Sequence, residues 1–352
     1  MLLTLLFACK DAPVESASPC ARTEDAALVA TVARDYATGS FATIDLDTHE
    51  VCDELIVTSG DPGVAASGGV VYQLNRFGYD NLRAFDPADW SRPLWERELG
   101  DASNPYDAAL CADRLFVSLY GRAELVILDP ASGDQLGRVD LSAFDDGDGV
   151  GPEPAALVVQ QDTLFVGMNR LDRENGWSDV GGAVAEVDCA SGAVTASWPV
   201  AGNTRVLPWR GGDGVLVASR AFGDQAGGLW ALRGGEPELL LDATQLGGEL
   251  AGVAAFGDRA LLTALAADYT TYEVWCADLS TGLATPVYST TSFLTDLAAN
   301  DRGEAWLAAH WGWQDPENAT AGLTIWDIAS CAVQGDGAPI ALSLAPYAVA
   351  FL

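Results

Sequence analysis

Five arginines stand at or beside one recurring position. Seven-residue runs aligned on Leu164-Phe-Val-Gly-Met-Asn-Arg170 close with Arg34, Arg76, Arg170 and Arg220, and Arg122 lies one residue beyond the equivalent slot. Five of the chain's 17 arginines thus share one structural position. A ring of planar guanidinium groups there would hold a carboxylate or phosphate through paired hydrogen bonds. The plainer alternative is that each pairs with a loop acid, Asp35, Asp80, Asp172 or Asp224, and ties down its own segment.

Two further groups carry chemistry. Asp145-Asp146-Gly147-Asp148-Gly149, with Glu153 close behind, gathers carboxylates and glycines as calcium loops do, since a hard cation takes six to eight oxygens on a flexible backbone. Full EF-hand spacing is missing, because the twelfth residue from Asp145 is Ala156. The alternative is a solvated acidic connector. Trp177 and His310-Trp311-Gly312-Trp313 offer aromatic faces for stacking on a sugar or peptide, though such rings also serve as packing. Other chemistry is absent: the chain has two histidines, His49 and His310, no CxxC pair and no glycine-rich loop leading into a helix. No Ser-His-Asp set is suggested either.

The elements that position these groups repeat. Seven apolar runs end in turns at Asp45, Asp86, Asp129, Asp188, Arg233, Asp278 and Asp327, separated by 41, 43, 59, 45, 45 and 49 residues. Units of forty-odd residues built from short strands are the mark of a β-propeller, whose four-stranded blades surround a central channel. The clearest unit predicts strands a to d at 107–110, 114–120, 124–129 and 135–141. Its c–d turn reads Asp129-Pro-Ala-Ser-Gly133, echoed by Asp188-Cys-Ala-Ser-Gly192 and Asp278-Leu-Ser-Thr-Gly282, with Asp45-Leu-Asp-Thr-His49 and Asp327-Ile-Ala-Ser-Cys331 as variants. Asp bonds its own backbone two residues on and Gly takes the left-handed position, so these aspartates build turns.

The first unit opens at Leu28 with a b-type strand, while the C-terminal Pro346-Tyr-Ala-Val-Ala-Phe351 echoes Pro105-Tyr-Asp-Ala-Ala-Leu110 and has nothing after it. The C-terminal segment is therefore expected to supply strand a of blade one, closing a ring of seven four-stranded antiparallel blades and removing exposed edges. The b–c loops and blade connectors share one face, and the long segments 145–154, 169–181 and 310–321 all fall there, where rigid scaffolds place binding. His49, in a c–d turn, belongs to the opposite face from His310.

The units resemble those of YVTN/YncE-like seven-bladed propellers, and the Asp-x-x-[Ser/Thr]-Gly turns are also similar to PQQ-like repeats. Leu164-Phe-Val-Gly-Met-Asn-Arg-Leu-Asp-Arg173 with Asn175-Gly-Trp177 looks most like secreted propeller lipoproteins of myxobacteria and their relatives. The resemblance spans roughly residues 25 to 352 and implies fold more than activity. A PQQ dehydrogenase would carry eight blades and often a vicinal cysteine pair, neither of which is apparent. A propeller-type hydrolase or lyase acting on a small anionic substrate through Arg170, Asp172, Arg173 and His310 stands as the alternative to a binding scaffold.

Net charge of -32, from 50 acidic against 18 basic residues, sets the chain against nucleic acid and anionic lipid. Residues 1–9, MLLTLLFAC, resemble a lipoprotein signal segment in which Cys9 would be acylated, although no basic residue precedes the apolar run and the segment is short. Residues 10–24 read as a tether and 25–352 as a single propeller domain. Without Cys9, six cysteines remain (Cys20, Cys52, Cys111, Cys189, Cys276, Cys331), enough for three disulfides of unresolved pairing in an oxidising compartment, or else buried thiols. The expectation is a cell-envelope lipoprotein, outer-membrane or periplasmic, membrane-bound only through its lipid. It would engage an envelope protein, a glycan or a small anionic ligand, with calcium as the one candidate cofactor.

Overall fold

The computed structural model describes Cys20 and residues 24–145, 147, 151–176, 178–220, 227–311 and 321–352. Within these residues the strands form seven antiparallel blades and one separate two-stranded ribbon, Leu171–Asp172 with Ser178–Asp179, and the inner strand of every blade lines a central channel. Blades two to seven run in sequence order, spanning 62–98, 105–140, 154–200, 203–242, 248–290 and 293–333. The reference unit has strands Pro105–Cys111, Arg114–Leu119, Glu124–Leu128 and Gln135–Asp140. Its inner strand is longer than the expected 107–110. Pro105 is tolerated at the first strand position, where the missing N–H breaks no ladder bond.

Blade one closes the ring. Ala345–Phe351 pairs antiparallel with Ala26–Val32, from Ala27 opposite Phe351 to Val32 opposite Ala345. Gly39–Asp45 follows as the third strand, and its outer partner comes in two pieces, Val51–Cys52 and Val57–Thr58. The two ends of the described chain thereby hold one blade together.

Second strands lie between two neighbouring blades, so both faces are covered and the sequence shows continuous apolar runs rather than alternation. Leu28, Val29 and Ala30 are all fully buried, as are Leu115, Phe116 and Val117. Alternate residues point to different neighbours: Val29 joins a cluster with Trp306 and Ile325 of blade seven, while Leu28 and Ala30 pack with Val71 and Phe85 of blade two. Fully burying one such side chain contributes roughly 1.5–3 kcal/mol.

The c–d turns have the expected chemistry. Asp129 Oδ1 accepts from the N–H groups of Ala131 at 2.8 Å and Ser132 at 3.1 Å, and Asp278 Oδ1 does the same for Ser280 and Thr281. Hydrogen bonds from Ser191, Ser280 and Ser330 hold the Asp188, Asp278 and Asp327 carboxyls below the usual range. His49 and Cys331, which stand where the other turns have Gly, adopt φ of 58° and 54°.

The six cysteines other than Cys9 pair: Cys20 with Cys52, Cys111 with Cys189, and Cys276 with Cys331. The second joins blade three to four and the third blade six to seven. The first fixes a residue of the segment read as a tether to the outer edge of blade one. Disulfides of this kind belong to an oxidising, extracytoplasmic compartment. Among the described residues, no helix is long and apolar enough to cross a membrane.

Candidate functional site

Four of the five recurring arginines are bonded to the protein itself. Arg76 forms an ion pair with Asp61. Arg122 donates to the Asp101 carbonyl at 3.0 Å and lies 3.7 Å from Glu124. Arg170 donates to the carbonyls of Phe144 and Gly181, both at 3.0 Å. Arg220 holds Glu249 through Nε at 2.8 Å and Nη2 at 2.6 Å. Arg34 is exposed. Asp224 lies outside the described residues, and among the described ones the partners differ from those expected. Asp80 instead accepts from the N–H groups of Ala102 and Asn104, and Asp172 from that of Asn175. The end of a second strand lies beside the start of an inner strand, which brings Arg76 to Asp61, just before Pro62–Ser67, and Arg220 to Glu249, the second residue of Gly248–Phe256.

Glu153 is fully buried at 0% exposure, and both its oxygens are engaged: Oε1 by Arg173 Nε and Oε2 by the Leu171 N–H, each at 2.9 Å. Arg173 also reaches the Tyr120 carbonyl at 3.2 Å and lies over the Tyr120 ring. Asp145 accepts from the Gly147 N–H. Asp146, Asp148, Trp177, Trp313 and Cys9 lie outside the described residues. Among the described residues, no three His, Cys, Asp or Glu side chains converge as metal ligands.

His310 is buried in an aromatic nest, stacked on Tyr36 with centroids 5.4 Å apart and edge-on to Phe293 and Trp311. Burial lowers its pKa. Among the described residues, the rings around His310 are not among the bonded partners of Arg170, Asp172 or Arg173.

The channel holds charges that the repeat alignment of second strands passes over. Arg205, from the inner strand Asn203–Pro208, donates to Asp296 Oδ1 through Nη1 at 3.3 Å and Nη2 at 3.2 Å. Asp296 lies on the inner strand Phe293–Ala299, and its Oδ2 accepts from the Val349 N–H at 2.9 Å. Asp107, on blade three, accepts from Leu157 N–H and Ala108 N–H. Burial pushes its carboxyl up to about 6, against the pull of those two bonds and of Arg205. Arg205 is enclosed by the ring of blades yet keeps 46% of its side-chain surface open to the channel space. These groups separate an upper cavity of about 240 Å³ from a lower one of about 400 Å³ lined mainly by small apolar residues. Comparing the inner strands with one another would have marked these three as charged residues in apolar segments.

At the mouth, Asp61 also accepts from Tyr347 Oη at 3.0 Å, and the Arg76 guanidinium lies 5.0 Å from the Tyr106 ring centroid. Gly60 admits the blade-one loop here, since a Cβ would fall 1.6 Å from the Tyr36 carbonyl oxygen. Beside the mouth, Phe77 and Tyr79 stand 73% and 59% exposed on the b–c loop of blade two. That loop is pinned by Asp80, itself buried, to the connector into blade three.

The fold and the ring closure define a seven-bladed β-propeller. No sequence-family model matches the chain, and no curated protein does so at a significant level. Its architecture is similar to a chain of Kuenenia stuttgartiensis hydrazine synthase (TM-score 0.60, 12% identity, 91% of this chain and 99% of that one). It is similar too to a chain of the mitotic checkpoint complex (TM-score 0.55, 13%, 92% and 99%) and to the propeller domain of a Pyrococcus furiosus trilobed protease (0.55, 10%, 87% and 93%). At these identities the likeness is one of fold.

Proposed function

We propose that this propeller is an extracytoplasmic interaction scaffold, anchored by lipid at Cys9, that engages an envelope partner through its loop-rich face. The observation that carries the reading is the pair Phe77 and Tyr79, large aromatic surfaces held in water by a loop whose Asp80 fixes it in place. Rings exposed on a rigid loop lose little freedom on binding. A structural neighbour from a multiprotein assembly, the mitotic checkpoint complex, is in keeping with such a role.

The test is capture from the native envelope with three full-length proteins: wild type, Phe77→Arg on the loop-rich face, and Leu239→Arg on the outer strand of blade five. A partner lost only with Phe77→Arg supports the reading; one retained by both variants, or none at all, overturns it. Incorporation of labelled fatty acid that persists in Cys9→Ser would sink the anchor.

A second reading is carried by the channel. Burial pushes the Asp107 carboxyl up to about 6 beside Arg205, which suits proton transfer on a small anion held by the guanidinium. Turnover of a uronate or lactone panel that survives Asp107→Asn unchanged would remove it.

A further inference from the structure

Two clefts meet at Tyr79. The outer one, about 310 Å³, lies in the seam between blades one and two, and the inner one, about 390 Å³, opens toward the channel mouth. Ala37, Ser59 and Tyr79 line both, so together they form one groove with Tyr79 at its middle. Each is within the range of small-molecule sites, ~300–1,000 Å³.

The outer floor is a chain of planar polar side chains. Arg83 Nη1 donates to Gln73 Oε1 at 3.3 Å, Gln73 Nε2 to Asn75 Oδ1 at 2.9 Å, Asn75 Nδ2 to Asn81 Oδ1 at 2.7 Å, and Asn81 Nδ2 to Glu96 Oε1 at 2.9 Å. Where Gln73 stands, the aligned second strands carry the smaller residues Thr31, Ser118 and Gly167. Among the described residues, the linked run of amides lies in this seam. Ser59, 6% exposed between the two clefts, has a hydroxyl without a protein partner, as do Asp61 Oδ2 and Arg76 Nε in the inner cleft. Buried polar atoms left in this state call for a bonding group from elsewhere.

Charge decides the ligand class. The protein carries -32 overall, yet the groove is locally balanced: Arg76 pairs with Asp61, and Arg83 Nε lies 3.4 Å from Glu96. A charged ligand would find no uncompensated counter-charge there. Hydroxyl groups, which donate and accept at once, suit amides and paired ions equally, and the flat faces of Phe77 and Tyr79 suit the C–H faces of pyranose rings.

We propose that this groove binds a neutral oligosaccharide, with a sugar ring stacked on Tyr79, its neighbour reaching Phe77, and hydroxyls meeting Asn81, Glu96 and Ser59. The proposal rests on reading the loop-rich face as a binding surface, and it names the ligand of that surface.

Its test is calorimetric titration of the full chain with maltohexaose, cellohexaose, mannohexaose and N-acetyl-chitohexaose, alongside oligogalacturonate and an immobilised peptide library. The variants are Tyr79→Ala, Tyr79→Phe and, as a control on the same face, Tyr269→Ala, whose ring is exposed on blade six outside the groove. Binding of a neutral hexasaccharide that weakens roughly tenfold in Tyr79→Ala, and is kept in Tyr79→Phe and Tyr269→Ala, is the expected result. Binding of only the anionic sugar or a peptide, lost in Tyr79→Ala, overturns the neutral-sugar assignment and leaves the binding face standing. No binding of any probe, or binding indifferent to Tyr79→Ala, overturns the proposal; whether the face binds at all is then decided by the envelope capture with Phe77→Arg.

Discussion

Two seams of the same ring contrast sharply. Between blades three and four the polar groups are turned inward and spent on the fold: Glu153 with Arg173 and the Leu171 N–H, Asp107 with the Leu157 N–H, Ser118 Oγ with the Ala155 carbonyl at 2.6 Å, and Cys111 with Cys189. Between blades one and two the polar groups form an open amide chain beside exposed aromatic rings. The first seam contains the oversized interval of 59 residues and most of the residues whose types suggested ligand chemistry. It teaches that a cluster of charge in sequence marks a closed seam as readily as an open site, and that burial tells them apart.

The largest expected effect is therefore at the closed seam. Cys111 and Cys189 enclose a loop of 78 residues. Replacing both by Ser should lower stability by about 4 kcal/mol, read as the shift in guanidinium midpoint. A loss near zero would mean that the seam holds without its covalent link.

Next is Glu153→Gln. Neutralising the fully buried carboxylate removes the ionic part of its bond with Arg173 and should cost about 3 kcal/mol, measured the same way. Adding Arg173→Met should recover part of that loss. The single variant behaving like a surface substitution would break the contrast between the seams.

The fold was legible because its devices are local or terminal. Asp129 and Gly133 make a turn within five residues, and the echo between residues 105–110 and 346–351 marked two inner strands, one of them the closing strand. The channel charges were not, because Asp296 meets Arg205 across 91 residues and Asp107 meets blade four across 50. Their proximity is a property of the ring. Alignment of second strands likewise located Arg76 but could not reveal Asp61 as its partner, since that depends on how strand b ends against the neighbouring connector.

A pH dependence probes the closed seam through Asp107. Burial pushes its carboxyl up to about 6 in the folded state, above the 3.8 usual for an aspartate, so the folded state binds the proton more tightly than the unfolded chain. Stability from this group accordingly rises as pH falls from above 6 toward 4, and declines as pH rises. His310, whose pKa is lowered, acts in the opposite sense, losing stability as pH falls through 6.5. The two are separated by the difference in stability between wild type and Asp107→Asn, which should grow in favour of wild type as pH falls through that window. A flat difference would mean that Asp107 is solvated like an ordinary surface acid.

The smallest effect is at the open seam, where Tyr79→Ala should change stability by no more than about 0.5 kcal/mol, since the ring is 59% exposed and its loop is held by Asp80 rather than by the ring itself. Small size is the point of this measurement. At the closed seam a substitution large enough to perturb any ligand also perturbs the fold, so binding and stability cannot be separated there. At the open seam they should part: midpoint unchanged, affinity lost. Should Tyr79→Ala instead destabilise by several kcal/mol, the aromatic rim would be packing in disguise, and the two seams would differ in polarity alone.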